Sequence, residues 1–145
     1  MTLKKLYIVA LLSASVLTSG CATHLSPGQE REYDAYAAKG LVQEEKSVAL
    51  AAALGVLPVA GYAYTGHPIL AVTSILMWPF LGPLWMPIDT GLAAKNSNYF
   101  STQEHVERLK RQSLAEIDEK LQDKQITYEQ HLREQRDIEA KYSPY

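Results

Sequence analysis

Between Val48 and Ala94 the chain carries one charged side chain, Asp89, whereas Lys95 to Lys141 is dense in Glu, Lys, Arg and Gln. A helix on the surface of a water-soluble core alternates apolar and charged faces turn by turn. Here the two kinds of residue are separated along the sequence, so the chain is suited to two surroundings rather than one. Val48–Tyr64 and Pro68–Ile88 are almost wholly apolar, with only Thr65, Gly66 and His67 between them. Each run is close to the ~20 residues that cross a hydrocarbon core about 30 Å thick. The short link demands an antiparallel hairpin. Tyr62, Tyr64, Trp78 and Trp85 fall toward the run ends, as interfacial aromatics do.

Prolines complicate that hairpin. Pro58 lies inside the first run, and Pro79, Pro83 and Pro87 crowd the end of the second. Each lacks an N–H and clashes with the preceding turn. Pro58 is therefore expected to kink or split the first helix. The second is expected over Ile69–Trp78, with a broken continuation to Ile88. Two full spans are the leading expectation. The alternatives are a shallow hairpin that enters the membrane without crossing, and a buried hairpin in a soluble or oligomeric core.

The N-terminus sets the compartment. Lys4 and Lys5 precede an uncharged apolar stretch from Leu6 to Leu17, and Thr18-Ser19-Gly20 lead into Cys21, the only cysteine. A basic start, an apolar core and a small-residue exit make a secretory leader, and one cysteine cannot close an intramolecular disulfide. The order resembles the bacterial lipoprotein signal. That resemblance implies removal of residues 1–20 and a lipid on Cys21. Losing Lys4 and Lys5 takes the formal charge from −2 to about −4, without the clustered basic face that nucleic-acid binding uses.

Gly61-x-x-Tyr64-x-Gly66, followed by Ala71, Ser74 and then Trp85-x-x-x-Asp89, is similar to the two-transmembrane hairpin domain of bacterial and eukaryotic membrane proteins. The likeness implies a membrane hairpin and no enzymatic activity. From the residues alone, Asp89 reads as an end-of-helix group accepting local backbone N–H bonds, and His67 as a polar loop tip.

Two shorter stretches are expected to be helical. Ser26 and Pro27 suit the start of a helix over Pro27–Ala38, with Gly40 as its stop. Tyr33 and Tyr36 share its face and are expected to pack on the next segment or rest at the membrane interface. After Asn98, Ser101-Thr102-Gln103-Glu104 has the form of a capping box. Val106, Leu109, Leu114, Ile117 and Leu121 then recur at helical spacing. A turn at Asp123-Lys124-Gln125 and a second capping box at Thr127-Tyr128-Glu129-Gln130 complete a helical hairpin over 101–142. Ile126-Thr127 and the acids around it resemble the short C-terminal helical-hairpin domain that ends many bacterial membrane proteins, which implies an interaction or oligomerisation element.

The resulting expectation is all-α: a signal peptide (1–20), a tether with a short helix (21–47), an apolar membrane hairpin (48–92) and a charged amphipathic helical hairpin (93–145). The chemistry expected is sparse. There is no Gly-rich phosphate loop, and His24, His67, His105 and His131 stand far apart; His105 and His131 could meet across the hairpin but are expected as solvated helix-face residues. No catalytic, metal or cofactor residue is assigned. The expected function is a non-enzymatic envelope lipoprotein whose partners are membrane lipid and a second copy or another envelope protein, with no nucleic acid. The alternative is a module binding a lipid or small hydrophobic ligand at the hairpin and Tyr33/Tyr36. A lipid on Cys21 and an even number of crossings would leave the C-terminus periplasmic. Ala22 after the cysteine favours the outer membrane and the hairpin the inner.

Overall fold

A computed structural model describes residues 24–80 and 82–145. The leader 1–20 and Cys21 lie outside the described residues. Among those described, the chain is all-helical, as expected: α1 Pro27–Ala38, α2 Val48–Gly55, α3 Ala60–Thr65, α4 Pro68–Met77, α5 Gly82–Gln122 and α6 Tyr128–Tyr142. They sort into two compact units. An apolar unit gathers His24, Leu25 and Lys46–Ser97; a charged unit gathers Ser26–Glu45 and Asn98–Tyr145.

The two apolar runs do not become two spans. Among the described residues no helix is long and apolar enough to cross a membrane. Pro58 splits the first run outright. The Ala60 N–H returns 2.8 Å to the Pro58 carbonyl, closing a γ-turn on Val59 at φ 71°, ψ −47°. That backbone state is strained for a β-branched residue. It is held by the Val59 N–H donating 2.9 Å to Ser74 Oγ. α3 then lasts six residues. It stops at Gly66, φ 83°, where the His67 and Gly66 N–H groups reach back to the Tyr62 and Ala63 carbonyls. Only a glycine enters that left-handed turn at little cost.

α4 begins on Pro68 and ends before Trp78-Pro79, close to the expected limits. The broken continuation to Ile88 does not follow. Gly82 instead opens a helix that runs uninterrupted to Gln122. Pro83 sits in its first turn, where a missing N–H costs nothing. Pro87 lies one turn further on and frees a single carbonyl near the helix start.

The passes of the apolar unit alternate in direction. At one end the Ser47 N–H donates 3.0 Å to Tyr64 Oη, and Lys46 Nζ donates 2.9 Å to the Thr65 carbonyl. At the other, Trp78 Nε1 donates 3.0 Å to the Val56 carbonyl. α5 returns beside α2, with Gly55 against Met86 and Pro87 and Gly91 against Ala52 and Val48. α4, ten residues without a charged side chain, is about 15 Å long at 1.5 Å per residue.

The charged unit is built on α1, α6 and the later part of α5. Ser26 and Gln29 cap α1 reciprocally. Gly40 (φ 67°) ends it, with the Leu41 N–H returning to the Tyr36 carbonyl. Tyr36, Val106 and Tyr142 form the core, with Leu41, Val42, Leu109 and Ile138 packed on it. Tyr36 is thus part of this core. The capping box at Thr127 is present, completed by Gln130.

The capping box expected at Ser101–Glu104 is absent, because α5 runs straight through it. Its hydroxyls serve another backbone. Gln43 and Glu45 donate their N–H groups, each at 3.0 Å, to Thr102 Oγ1 and Asn98 Oδ1, and Ser101 donates to the Glu45 carboxylate. Two extended residues advance about 6.6 Å and four helical residues about 6 Å. Alternate N–H groups of 43–45 therefore match side chains one turn apart on α5.

The turn after α5 is also left-handed, on Lys124 at φ 56°. The Gln125 N–H bonds the Lys120 carbonyl at 2.9 Å. Lys124→Gly is expected to stabilise the charged unit by about 1 kcal/mol, since a Cβ is disfavoured there. Urea unfolding followed by circular dichroism measures it; no gain would mean this turn is not left-handed.

Candidate functional site

The apolar unit is inverted relative to a water-soluble core. Its buried positions are small or polar: Ala51, Gly55, Gly61, Ala71, Ser74, Thr90, Ala93 and Ala94, joined by Tyr62 and Met86. Its large side chains face outward, with Ile69 77%, Phe80 73%, Leu84 71% and Leu76 69% exposed. Apart from Phe100, Tyr128, Leu132 and Tyr145, every exposed large hydrophobic among the described residues lies between Val48 and Ile88. An apolar surface of that extent marks a contact with protein or lipid.

Small residues let the helices close up. A Cβ on Gly55 would lie 2.3 Å from Thr90 Oγ1 and 2.7 Å from the Pro87 Cα, and one on Gly61 would lie 2.7 Å from the Gly55 Cα. The Thr90 hydroxyl lies 2.9 Å from the Ala51 carbonyl across this contact and 2.8 Å from Met86 O on its own helix. Close backbone approach through Gly, Ala and Thr is how helices pack where no hydrophobic force separates them from solvent.

Polarity is graded along the unit. The end holding Val56–Val59, Leu76–Phe80 and Gly82–Leu84 carries no ionisable side chain. Its breaks in helical structure are closed internally by the Trp78–Val56 and Val59–Ser74 bonds. The opposite end carries Lys46, Ser47, Tyr64, Thr65, His67 and Lys95. His67 Nδ1 lies 3.2 Å from Thr65 Oγ1, so it is a half-buried turn residue rather than a free loop tip.

The five hairpin markers fall into three places. Gly61 is in the small-residue core. Tyr64 and Gly66 are at the polar end. Trp85 and Asp89 lie on the flank with Tyr62, whose ring is 6.4 Å from that of Trp85. Asp89 corrects the expectation of an end-of-helix group: it lies inside α5 and accepts a 2.6 Å bond from the buried Tyr62 hydroxyl. Its other oxygen is 3.9 Å from His24 Nδ1. Gly55 and Thr90 were not singled out by sequence, whereas Ser74 was, as one of the small residues of the hairpin pattern. The only signal was a lone glycine in an apolar helical run.

In the charged unit the polar hub is Glu32, which accepts from Tyr99 Oη at 2.7 Å and Tyr145 Oη at 3.0 Å. Lys39 Nζ bonds the Ala140 and Ser143 carbonyls at the end of α6. The Tyr99 and Tyr145 hydroxyls hold the Glu32 carboxyl below its usual range. Burial, then the bond to Glu32, push Tyr99 up to about 12. A lowered carboxyl favours folding above its unfolded value of 4.5, and that contribution is lost as pH falls through the folded value. Acid unfolding of wild type and Glu32→Gln checks this: the variant is expected to lose less stability below that pH, and equal losses would contradict it.

His131 Nε2 lies 2.7 Å from Asp118 Oδ1 on α5. Among the described residues no group of three or more His, Cys, Asp or Glu side chains is placed to hold a metal ion. Comparison with protein-family models, curated proteins and solved structures returns no match.

Proposed function

We propose that this is a non-enzymatic bacterial envelope lipoprotein with two membrane attachments, a lipid on Cys21 and the apolar unit seated in one leaflet. The observation that carries this reading is the graded unit itself. Its apolar passes reach about 15 Å in α4 and about 20 Å over residues 82–94 of α5, short of a hydrocarbon core about 30 Å thick. At the apolar end the Trp78 indole N–H and the Val59 N–H are bonded internally, to the Val56 carbonyl and the Ser74 hydroxyl, as groups inside hydrocarbon require. Lys46 and Lys95 stand at the opposite end, where headgroups would lie. The markers Gly61, Tyr64, Gly66, Trp85 and Asp89 keep the proposed kinship with the two-transmembrane hairpin domain, in a form that dips into the bilayer rather than spans it.

The charged unit then presents α5 and α6 to a second copy or another envelope protein. Tyr128 and Leu132, exposed one turn apart on α6, favour that role.

Intact mass of the purified protein tests the first attachment. The expected product begins at Cys21 with added acyl mass, and Cys21→Ser lacks that mass. A full-length product starting at Met1 would contradict it. Flotation of the Cys21→Ser protein with phospholipid vesicles tests the second. It is expected to float without lipidation; a protein left wholly at the bottom would refute the leaflet insertion.

A further inference from the structure

The only charged side chain between Val48 and Ala94 sits on the flank of the apolar unit, and its partners show what it holds. Asp89 is 15% exposed at its side chain. Tyr62, 1% exposed, donates to Oδ2, and His24 Nδ1 approaches Oδ1 to 3.9 Å. A carboxylate among Trp85, Ile88 and Tyr62 is costly unless hydrogen-bonded and matched by a cation. Tyr62 supplies a hydrogen bond to one oxygen, and the His24 ring lies beside the other.

We propose that Asp89 and Tyr62 form a docking site for the tether that follows Cys21, with His24 as the docked residue. His24 is three residues from Cys21, so the covalent chain limits their Cα separation to about 11 Å. A docked His24 therefore fixes the lipid attachment point beside the apolar unit, and acyl chains and unit enter the same leaflet as one composite anchor. Two linked attachments held this close act at high effective concentration. Release of either one is followed by recapture. This rests on the leaflet reading above for its consequence, but the docking contact stands on the Asp89–Tyr62–His24 geometry alone.

The test is photo-cross-linking of the full-length, lipidated protein in membranes, with a photoreactive residue replacing Thr23. Cross-links to the Trp85–Gly91 stretch are expected, several-fold weaker in Asp89→Asn and largely retained in His24→Lys. Asparagine keeps the side-chain shape and still accepts from Tyr62, so the apolar unit remains folded; an unchanged tryptophan emission spectrum verifies that. Cross-links that are absent in wild type, or unaffected by Asp89→Asn, would overturn the docking. Flotation of Cys21→Ser reports separately on the leaflet reading, so the two failures are distinguishable.

Discussion

Gly55→Ala is expected to destabilise the apolar unit by about 3 kcal/mol, the upper end for overpacking a tight contact. The added methyl would meet the Thr90 hydroxyl and the backbone of Met86 and Pro87, all closer than 3 Å. A side chain could rotate away, but helix backbone cannot move without displacing α5 from α2. That loss is a large part of the stability of an ordinary domain. Gly91→Ala is the internal control. Its Cβ would lie 3.6 Å from that of Ala52, an ordinary contact, and α5 would gain helix propensity. Urea unfolding in detergent, followed by tryptophan fluorescence, should rank Gly55→Ala far below wild type and Gly91→Ala near it. Equal midpoints for the two variants would mean that α2 and α5 do not meet at Gly55.

Replacing Leu76 and Phe80 together by lysine should separate folding from membrane binding. Both side chains are mostly exposed, so the substitution removes few internal contacts and should shift stability by only about 0.5 kcal/mol. Membrane binding responds differently. Each large apolar side chain is worth about 1.5–3 kcal/mol on full burial, and a lysine at depth costs about 2.5–3.5 kcal/mol more. Even with lysines snorkelling to the interface, a loss of about 4 kcal/mol, or a thousandfold in affinity, is expected. Vesicle flotation of the Cys21→Ser protein with and without the double substitution measures it. Retained binding would show that this end of the unit does not enter lipid.

The sequence was most legible where one residue type has one backbone role. Ser26-Pro27, Gly40, Gly66, Thr127 and the break at Pro58 all declared helix ends, and the structure places them where caps and glycines require. Apolar length was a poorer guide. It counted Val48–Tyr64 as one element, although a proline and the γ-turn at Val59 divide it. The capping box at Ser101 misled because its hydroxyls serve distant groups, Thr102 accepting from the Gln43 N–H and Ser101 donating to the Glu45 carboxylate, and no local pattern reports such a partner. The same is true of Asp89, whose role depends on Tyr62 across the fold. The resemblance to a two-span hairpin drew its marker residues together in order, yet it left unstated the small-residue contact of Gly55, Gly61 and Thr90.

A unit seated in one leaflet also removes a conflict in the proposed topology. Two spans would favour the inner membrane and would call for basic residues at the turn, where only His67 stands. A unit that enters and leaves the same face needs no orientation rule, and it suits the absence of an acid after Cys21.

Depth of the two tryptophans, the only ones in the chain, tests the leaflet insertion most directly. Trp78 lies at the apolar end with its indole N–H already bonded to Val56, so it can enter hydrocarbon without an unmade hydrogen bond. Trp85 lies on the first part of α5, toward the flank. Single-tryptophan variants Trp85→Phe and Trp78→Phe, bound to vesicles with lipids brominated at different depths, report each ring. Trp78 should be quenched most by bromines near the bilayer centre, and Trp85 by shallower ones. Quenching of Trp78 only at headgroup depth, or none for either ring, would contradict an apolar end buried in the leaflet.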